Sequence, residues 1–274
     1  MADVIVRETQ DDTVLLITQE DHAELSGQFA SHWGNEQFSK LKPYESMVFA
    51  TLHHDSGYRE WEGIPPINLP ERRPYGHRED SPSFEETELR AYVTNVDWVK
   101  AHDPYAALIV SMHRTGLWQN RYDVLGPAKR KSERSQETWA VIENLESRQR
   151  DEKRLLSNGE PGFERQLWFN YKSLQVYDVL SLYFCCNGYE GERLKEDRIG
   201  PVPVSYNTQE EASLRILPIN QTAVHMSPYP FDSSPLKIGL RARTLRKRGF
   251  CSEEECREAY FKAPRTLLHF EITR

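Results

Sequence analysis

Apolar residues recur at intervals of three and four through the first two-thirds of the chain, a spacing that predicts helices with one buried stripe each. Leu167, Tyr171, Leu174, Asp178, Leu182 and Cys185 form one stripe, Met47, Thr51, His54, Tyr58 and Trp61 a second, and His22, Leu25, Phe29 and Trp33 a third. The predicted helices run Asp21 to Trp33, Tyr44 to Trp61, Phe84 to His102, Tyr105 to Trp118, Ser135 to Leu156 and Gly162 to Asn187. Asn187-Gly188 stops the last of them, since glycine accepts the left-handed backbone that ends many helices. At the amino end, Val4 to Val6 and Val14 to Thr18 flank Asp11-Asp12 and read as a β-hairpin. After Gly188, prolines at 201, 203, 218, 228, 230 and 235 separate short β-like runs: Leu214 to Ile219, Ala223 to Met226, Lys237 to Ala242 and Thr266 to Ile272. A lone two-stranded ribbon is marginal in water, so these runs are expected to pair with the amino-terminal hairpin. The expected fold is mainly α (α+β): one domain over 1–274, with a helical core at 20–190 and a small antiparallel sheet built from both termini, 1–19 and 195–274.

Composition narrows the setting. With 274 residues, 38% hydrophobic and 11% aromatic, the chain can bury a substantial core. A formal charge of −7 argues against bulk attraction to nucleic acid or anionic membrane. The mixed-sign run "PAKRKSERSQETWAVIENLESRQRDEKRLL" reads as a solvated helix, and in "RARTLRKRG" alternate residues of a β-like segment face water in any case. Four cysteines, two of them the adjacent Cys185-Cys186, make no disulfide framework. No apolar run reaches membrane length and none after Met1 reads as a signal peptide, so a reducing cytoplasm is the expected location.

The chemistry lies in the polar residues set among apolar ones. Asp178 sits in the middle of an inward stripe, His22 and His54 lie on others, and Asp55 adjoins His54. Carboxylates and imidazoles are costly to bury unless something charged or hydrogen-bonding receives them. Two imidazoles and two carboxylates without thiolate suit a divalent Fe, Mn, Ni, Co or Zn ion, one or two in number, with positions left for water and substrate. The competing reading is a core polar pair, His54 with Asp178, that needs no metal.

A histidine, then a His-Asp dipeptide, then a distant aspartate, each on its own helix, resembles the HD superfamily of metal-dependent phosphohydrolases. "VFATLHHDSGY" and "LQVYDVLSLY" are similar to that family's second and last signatures. The resemblance spans Asp21 to Gly188 and implies an HD-like helical core with His22, His54, Asp55 and Asp178 as metal ligands. The opening "VIVRETQDDTVLLITQEDHAELSGQFASHWG" also resembles a bacterial-type family described only as being of unknown function, which implies no substrate. A second dipeptide, His102-Asp103, precedes Pro104 and reads as a helix junction with Asp103 as the cap.

Further candidates surround this set. His113 lies on an otherwise apolar helix and reads either as a core histidine bonded to a carbonyl, or as a proton donor or additional ligand. Tyr58 and Arg59, one turn beyond the dipeptide, are placed to meet a substrate phosphate. The Pro-rich segment Gly63 to Ser83 is too long for an ordinary turn and reads as a lid carrying Arg72, Arg73, His77 and Arg78 toward an anion, or as plain surface loop. The expected activity is hydrolysis of a phosphorylated small molecule by a metal-activated water, with His113 and Arg59 assisting. A di-iron oxygenase, which would recruit His113 and His77 or His102, and a non-catalytic binding protein are the alternatives.

Overall fold

The computed structural model describes residues 4–9, 11–62, 66–71, 73–76, 79, 84–119, 135–187, 196–247 and 249–274. Strands β1 (Ile5–Glu8) and β2 (Thr13–Ile17) form the amino-terminal hairpin, with Asp12 in the left-handed region at φ 53°. Helices α1 (Gln19–Ser31) and α2 (Tyr44–Leu52) follow, then a 3-10 turn at Ser56–Tyr58 and a single turn, α3 (Arg59–Glu62). A two-residue ladder, β3 (Ile67–Asn68) with β4 (Arg73–Pro74), precedes α4 (Phe84–His102), α5 (Pro104–Trp118), α6 (Gln136–Ser157) and α7 (Phe163–Cys186). The chain closes with β5 (Asp197–Pro203), β6 (Glu211–Pro218), β7 (Ala223–Ser227), β8 (Leu236–Arg246), α8 (Glu253–Lys262) and β9 (Arg265–Thr273).

The sheet overturns the expected proportions. The hairpin does pair with carboxyl-terminal strands, but among the described residues the sheet has seven strands in the order β1-β2-β8-β9-β7-β6-β5, and its β7–β9 pairing is parallel. It is a curled, mixed sheet that forms a full layer of an α+β fold, and the mainly helical core with a small antiparallel cap is set aside. Two features hid it. β5 carries Pro201 and Pro203, which read as breakers, yet it is an edge strand, where a missing N–H costs no ladder bond. β8 contains the basic run, and only its alternating burial over 11 residues shows it to be a central strand.

Helix ends follow their caps. Thr18, Asp103, Ser135 and Ser252 each accept a backbone N–H in the first turn of α1, α5, α6 and α8. Pro104 opens α5, so His102-Asp103 is indeed a helix junction. Residue 187, the C-cap of α7, has extended backbone rather than a left-handed one, and Gly188 lies outside the described residues. The basic side chains of β8 and its end are spoken for: Arg241 pairs with Glu24, Arg246 with Glu255 and Lys247 with Glu8.

α7 is the central support. Most of its residues are buried, and it packs against α1, α2, α5, β1 and β5 in one apolar cluster that also takes in the inner face of the sheet. The described part of the Pro-rich segment is more than surface loop. Ile67 is buried in a second cluster with Val4, Val14, Leu16, Leu245, Phe250, Cys256 and Tyr260, on the side where α8 covers the sheet. Among the described residues no helix is long and apolar enough to cross a membrane.

Candidate metal centre

Three helices and one turn deliver the candidate residues to a single point. α1 supplies His22, α5 supplies His113 and α7 supplies Asp178, all from buried faces. His54 and Asp55 do not ride a continuous helix over Tyr44 to Trp61, as their spacing predicts. α2 ends at Leu52, and the dipeptide occupies the turn that follows. The turn is held by α4: Asn95 Nδ2 donates to the carbonyls of His53 (2.8 Å) and His54 (3.0 Å), the first of which also accepts from the Ser56 N–H. Gly57 permits the approach, since a Cβ there would lie 2.0 Å from the Ala91 carbonyl oxygen.

The resulting distances bring the polar atoms close together. His22 Nε2 lies 3.2 Å from His54 Nε2 and 2.9 Å from Asp178 Oδ1. His54 Nε2 lies 3.7 Å from both Asp178 Oδ1 and Asp55 Oδ2, and His22 Nε2 lies 3.8 Å from that same Asp55 oxygen. His113 Nε2 stands 3.9 Å from Asp178 Oδ2, its ring edge-on to that of His54. Neighbouring donors bound to one ion at about 2.0–2.1 Å sit roughly 3 Å apart, close to the shorter of these distances.

Second partners set the tautomers. His54 Nδ1 is 2.8 Å from the Thr51 carbonyl, which only accepts, so Nδ1 carries the proton and Nε2 offers a lone pair. Ser181 donates to the Asp178 carbonyl at 2.8 Å, so its oxygen accepts from His22 Nδ1, and the lone pair of His22 is again at Nε2. Two imidazole nitrogens and carboxylate oxygens thus converge, an arrangement suited to a cation between them. Burial opposes a charge on His54, yet Asp55, Asp178 and the Thr51 carbonyl push its pKa up to about 9. Burial, with the repulsion of His54 and His22, holds His113 down to about 4, while burial of Asp178 is outweighed by His22, His54 and His113, which keep it well below the usual carboxylate range.

Arg114 was not foreseen as part of this centre. It is buried beside His113 on α5, donates to Asp55 Oδ1 (3.3 Å) and Glu88 Oε1 (2.8 Å), and lies over the Tyr92 ring with its guanidinium carbon 3.1 Å from the centroid. Tyr92 O–H donates to the same Asp55 oxygen. The sequence did hold a signal, since Arg114 interrupts an apolar helix just as His113 does.

Other candidates stand apart. Arg59 is exposed and paired with Glu20, and Tyr58 is buried edge-on against Tyr92. Arg73 is engaged by both oxygens of Glu79 and by the Pro74 carbonyl. Arg72, His77 and Arg78 lie outside the described residues. His102 bonds the Trp98 carbonyl and stacks on Trp98, away from the cluster.

Glu62 yields a test of the neighbouring electrostatics. Its buried carboxylate accepts the N–H groups of Gln19 and Glu20 at the start of α1, which favours ionisation, but burial together with the charges of Asp21 and Asp55 prevails and raises its pKa to about 8. The folded value exceeds the unfolded value of about 4.3. Glu62 therefore contributes stability that is fully present below about pH 4 and is lost as pH rises through about 8. Glu62→Gln is expected to gain on the wild type between pH 5 and pH 9 in urea denaturation; a difference independent of pH would show an ordinary pKa.

The fold and site together define a class: an α+β protein with a buried cluster of three histidines and two aspartates at the meeting point of its helices. The chain belongs to the DUF3891 family, whose model, described as "Protein of unknown function (DUF3891)", matches residues 4–247. No curated protein and no solved structure matches it. The resemblance to HD phosphohydrolases is thereby corrected: the matching family is a different one, and the large curled sheet departs from an HD helical core.

Proposed function

We propose that this protein is a metal-dependent hydrolase acting on a small phosphate ester, with one divalent ion held by His22, His54, Asp55, Asp178 and His113. The observation that carries the reading is the convergence of the His22 and His54 lone pairs, 3.2 Å apart, with carboxylate oxygens of Asp55 and Asp178 around them. The donor set fits such an ion. Nitrogen and oxygen ligands without thiolate suit Fe, Mn, Co, Ni or Zn, and two aspartates supply the two negative charges that neutralise a divalent cation. His54 belongs to both candidate ligand groups but has one lone pair to give, which favours a single centre over a di-iron site. Such an ion supplies Lewis acidity and lowers the pKa of a water it binds.

The chain's own residues do the rest. Thr51 and Ser181 hold the two imidazoles as Nε2 ligands, Tyr92 and Arg114 fix Asp55, and the apolar faces of α1, α5 and α7 exclude bulk water. In this reading Arg59, four residues beyond Asp55 and paired with Glu20 at the surface, would have to leave Glu20 to meet a substrate phosphate, an exchange of exposed ion pairs that costs little. Four free thiols suit a reducing cytoplasm, and the paired basic run on β8 argues against nucleic acid as a partner.

Burial supports a second reading. His22, His54 and His113 are at most 1% exposed, which suits a structural metal in a protein that binds rather than turns over. One experiment separates the two. Tag-free protein is analysed for metals, stripped with a chelator, reloaded with Mn, Fe, Co, Ni or Zn, and assayed with phosphomonoesters and phosphodiesters. Hydrolysis that returns with one ion and is absent from His54→Ala supports the hydrolase; bound metal that raises the melting temperature without turnover supports the structural role. Iron with oxygen consumption would move the reading to redox chemistry.

A further inference from the structure

Asp55 presents its two oxygens to different worlds. Oδ2 faces the histidine nitrogens, 3.7 Å from His54 and 3.8 Å from His22. Oδ1 is turned to the other side, where it accepts from the Tyr92 hydroxyl and from Arg114, 3.3 Å away. Neither donor is loose. Arg114 is anchored by Glu88 and by its stacking on Tyr92, and the Tyr92 ring is 1% exposed and wedged edge-on between Tyr58 and Trp118. A carboxylate oxygen with two directed donors, one of them charged, is poorly available to a metal, whereas its twin is free to bind.

From this we infer that Tyr92 and Arg114 are positioning residues that make Asp55 a one-oxygen ligand and so set the metal preference of the centre. The inference rests on the metal reading above and adds which ion the site selects. With Asp55 confined to Oδ2, the shell stays compact and rich in nitrogen, favouring small ions such as Zn(II) or Co(II). With Oδ1 released, Asp55 can chelate through both oxygens, adding a hard donor and widening the shell, which favours the larger, oxygen-seeking Mn(II).

The test is Tyr92→Phe, which removes one hydroxyl and keeps the ring. Stripped wild type and variant are titrated separately with Zn(II) and Mn(II), and both are loaded with Co(II) for visible absorption. Loss of an outer partner of this kind typically costs about 10-fold in affinity or more. Zn(II) binding is expected to weaken by about that factor and Mn(II) binding by less, so that the Mn:Zn affinity ratio rises several-fold. The Co(II) bands should weaken as the coordination number rises. Equal changes for both ions with an unaltered Co(II) spectrum would overturn the inference while leaving the metal site standing. A wild type that binds none of the three ions would overturn both. Should the variant fail to fold, the zinc-loaded wild-type crystal structure decides: Asp55 bound through Oδ2 alone supports the inference, and both oxygens on the ion refute it.

Discussion

Asp178→Ala is expected to reduce bound metal from about one ion per chain to a trace and to take any hydrolysis with it. Asp178 touches every imidazole of the cluster: His22 through Oδ1 at 2.9 Å, His54 at 3.7 Å, and His113 through Oδ2 at 3.9 Å. Its loss removes one anionic ligand and leaves the three rings with Asp55 alone. In the metal-free protein Asp178 is also a counter-charge for the proton on His54, and there the two readings part. If the cluster is built for a metal, the stripped protein already holds mutually repelling Asp55 and Asp178, and deleting one should change its stability little. If it is a core ion pair, removing Asp178 strands a buried imidazolium at a cost of about 3–5 kcal/mol. Elemental analysis together with urea denaturation of stripped wild type and variant decides. A metal-free wild type with a strongly destabilised variant would end the metal reading.

The second large effect belongs to Arg114. Arg114→Met should lower stability by about 3–5 kcal/mol, because it leaves the carboxylates of Asp55 and Glu88 buried without their guanidinium. For a chain of this size that amounts to a fall of roughly 10 °C in melting temperature. Adding Glu88→Gln should recover part of the loss, since one stranded charge disappears with it. Calorimetry on the single and double variants measures both, and additive losses would mean that Arg114 matters through its packing on Tyr92 rather than through its charge.

How much of this was legible beforehand depends on the range of the interaction. Helical spacing placed His22, His54 and Asp178 on inward stripes, because a polar side chain in an apolar stripe is conspicuous over a dozen residues. The same spacing carried α2 too far. What ends it is Gly57 pressed against Ala91 and the bonds from Asn95, contacts made across about 40 residues. Arg114 and Asp55 are 59 positions apart, so nothing local pairs them. The sheet was underestimated for a related reason. Prolines in β5 read as breakers until its edge position is known, and α8, opening with Glu253, Glu254 and Glu255, shows little apolar periodicity although Cys256 and Tyr260 are buried.

The place of β9 bears on how the chain is made. It comes after the other described strands in sequence, yet it lies between β8 and β7, joining the β1-β2-β8 group to the β7-β6-β5 group. Until residues 265–273 have left the ribosome, each group carries a bare strand edge where β9 will sit, and Asp21, next to His22, lacks Arg265. Such edges are sticky. Synthesis therefore passes through a stage in which both strand groups are present and the strand between them is not, and the nascent protein should be most dependent on chaperones until β9 has emerged.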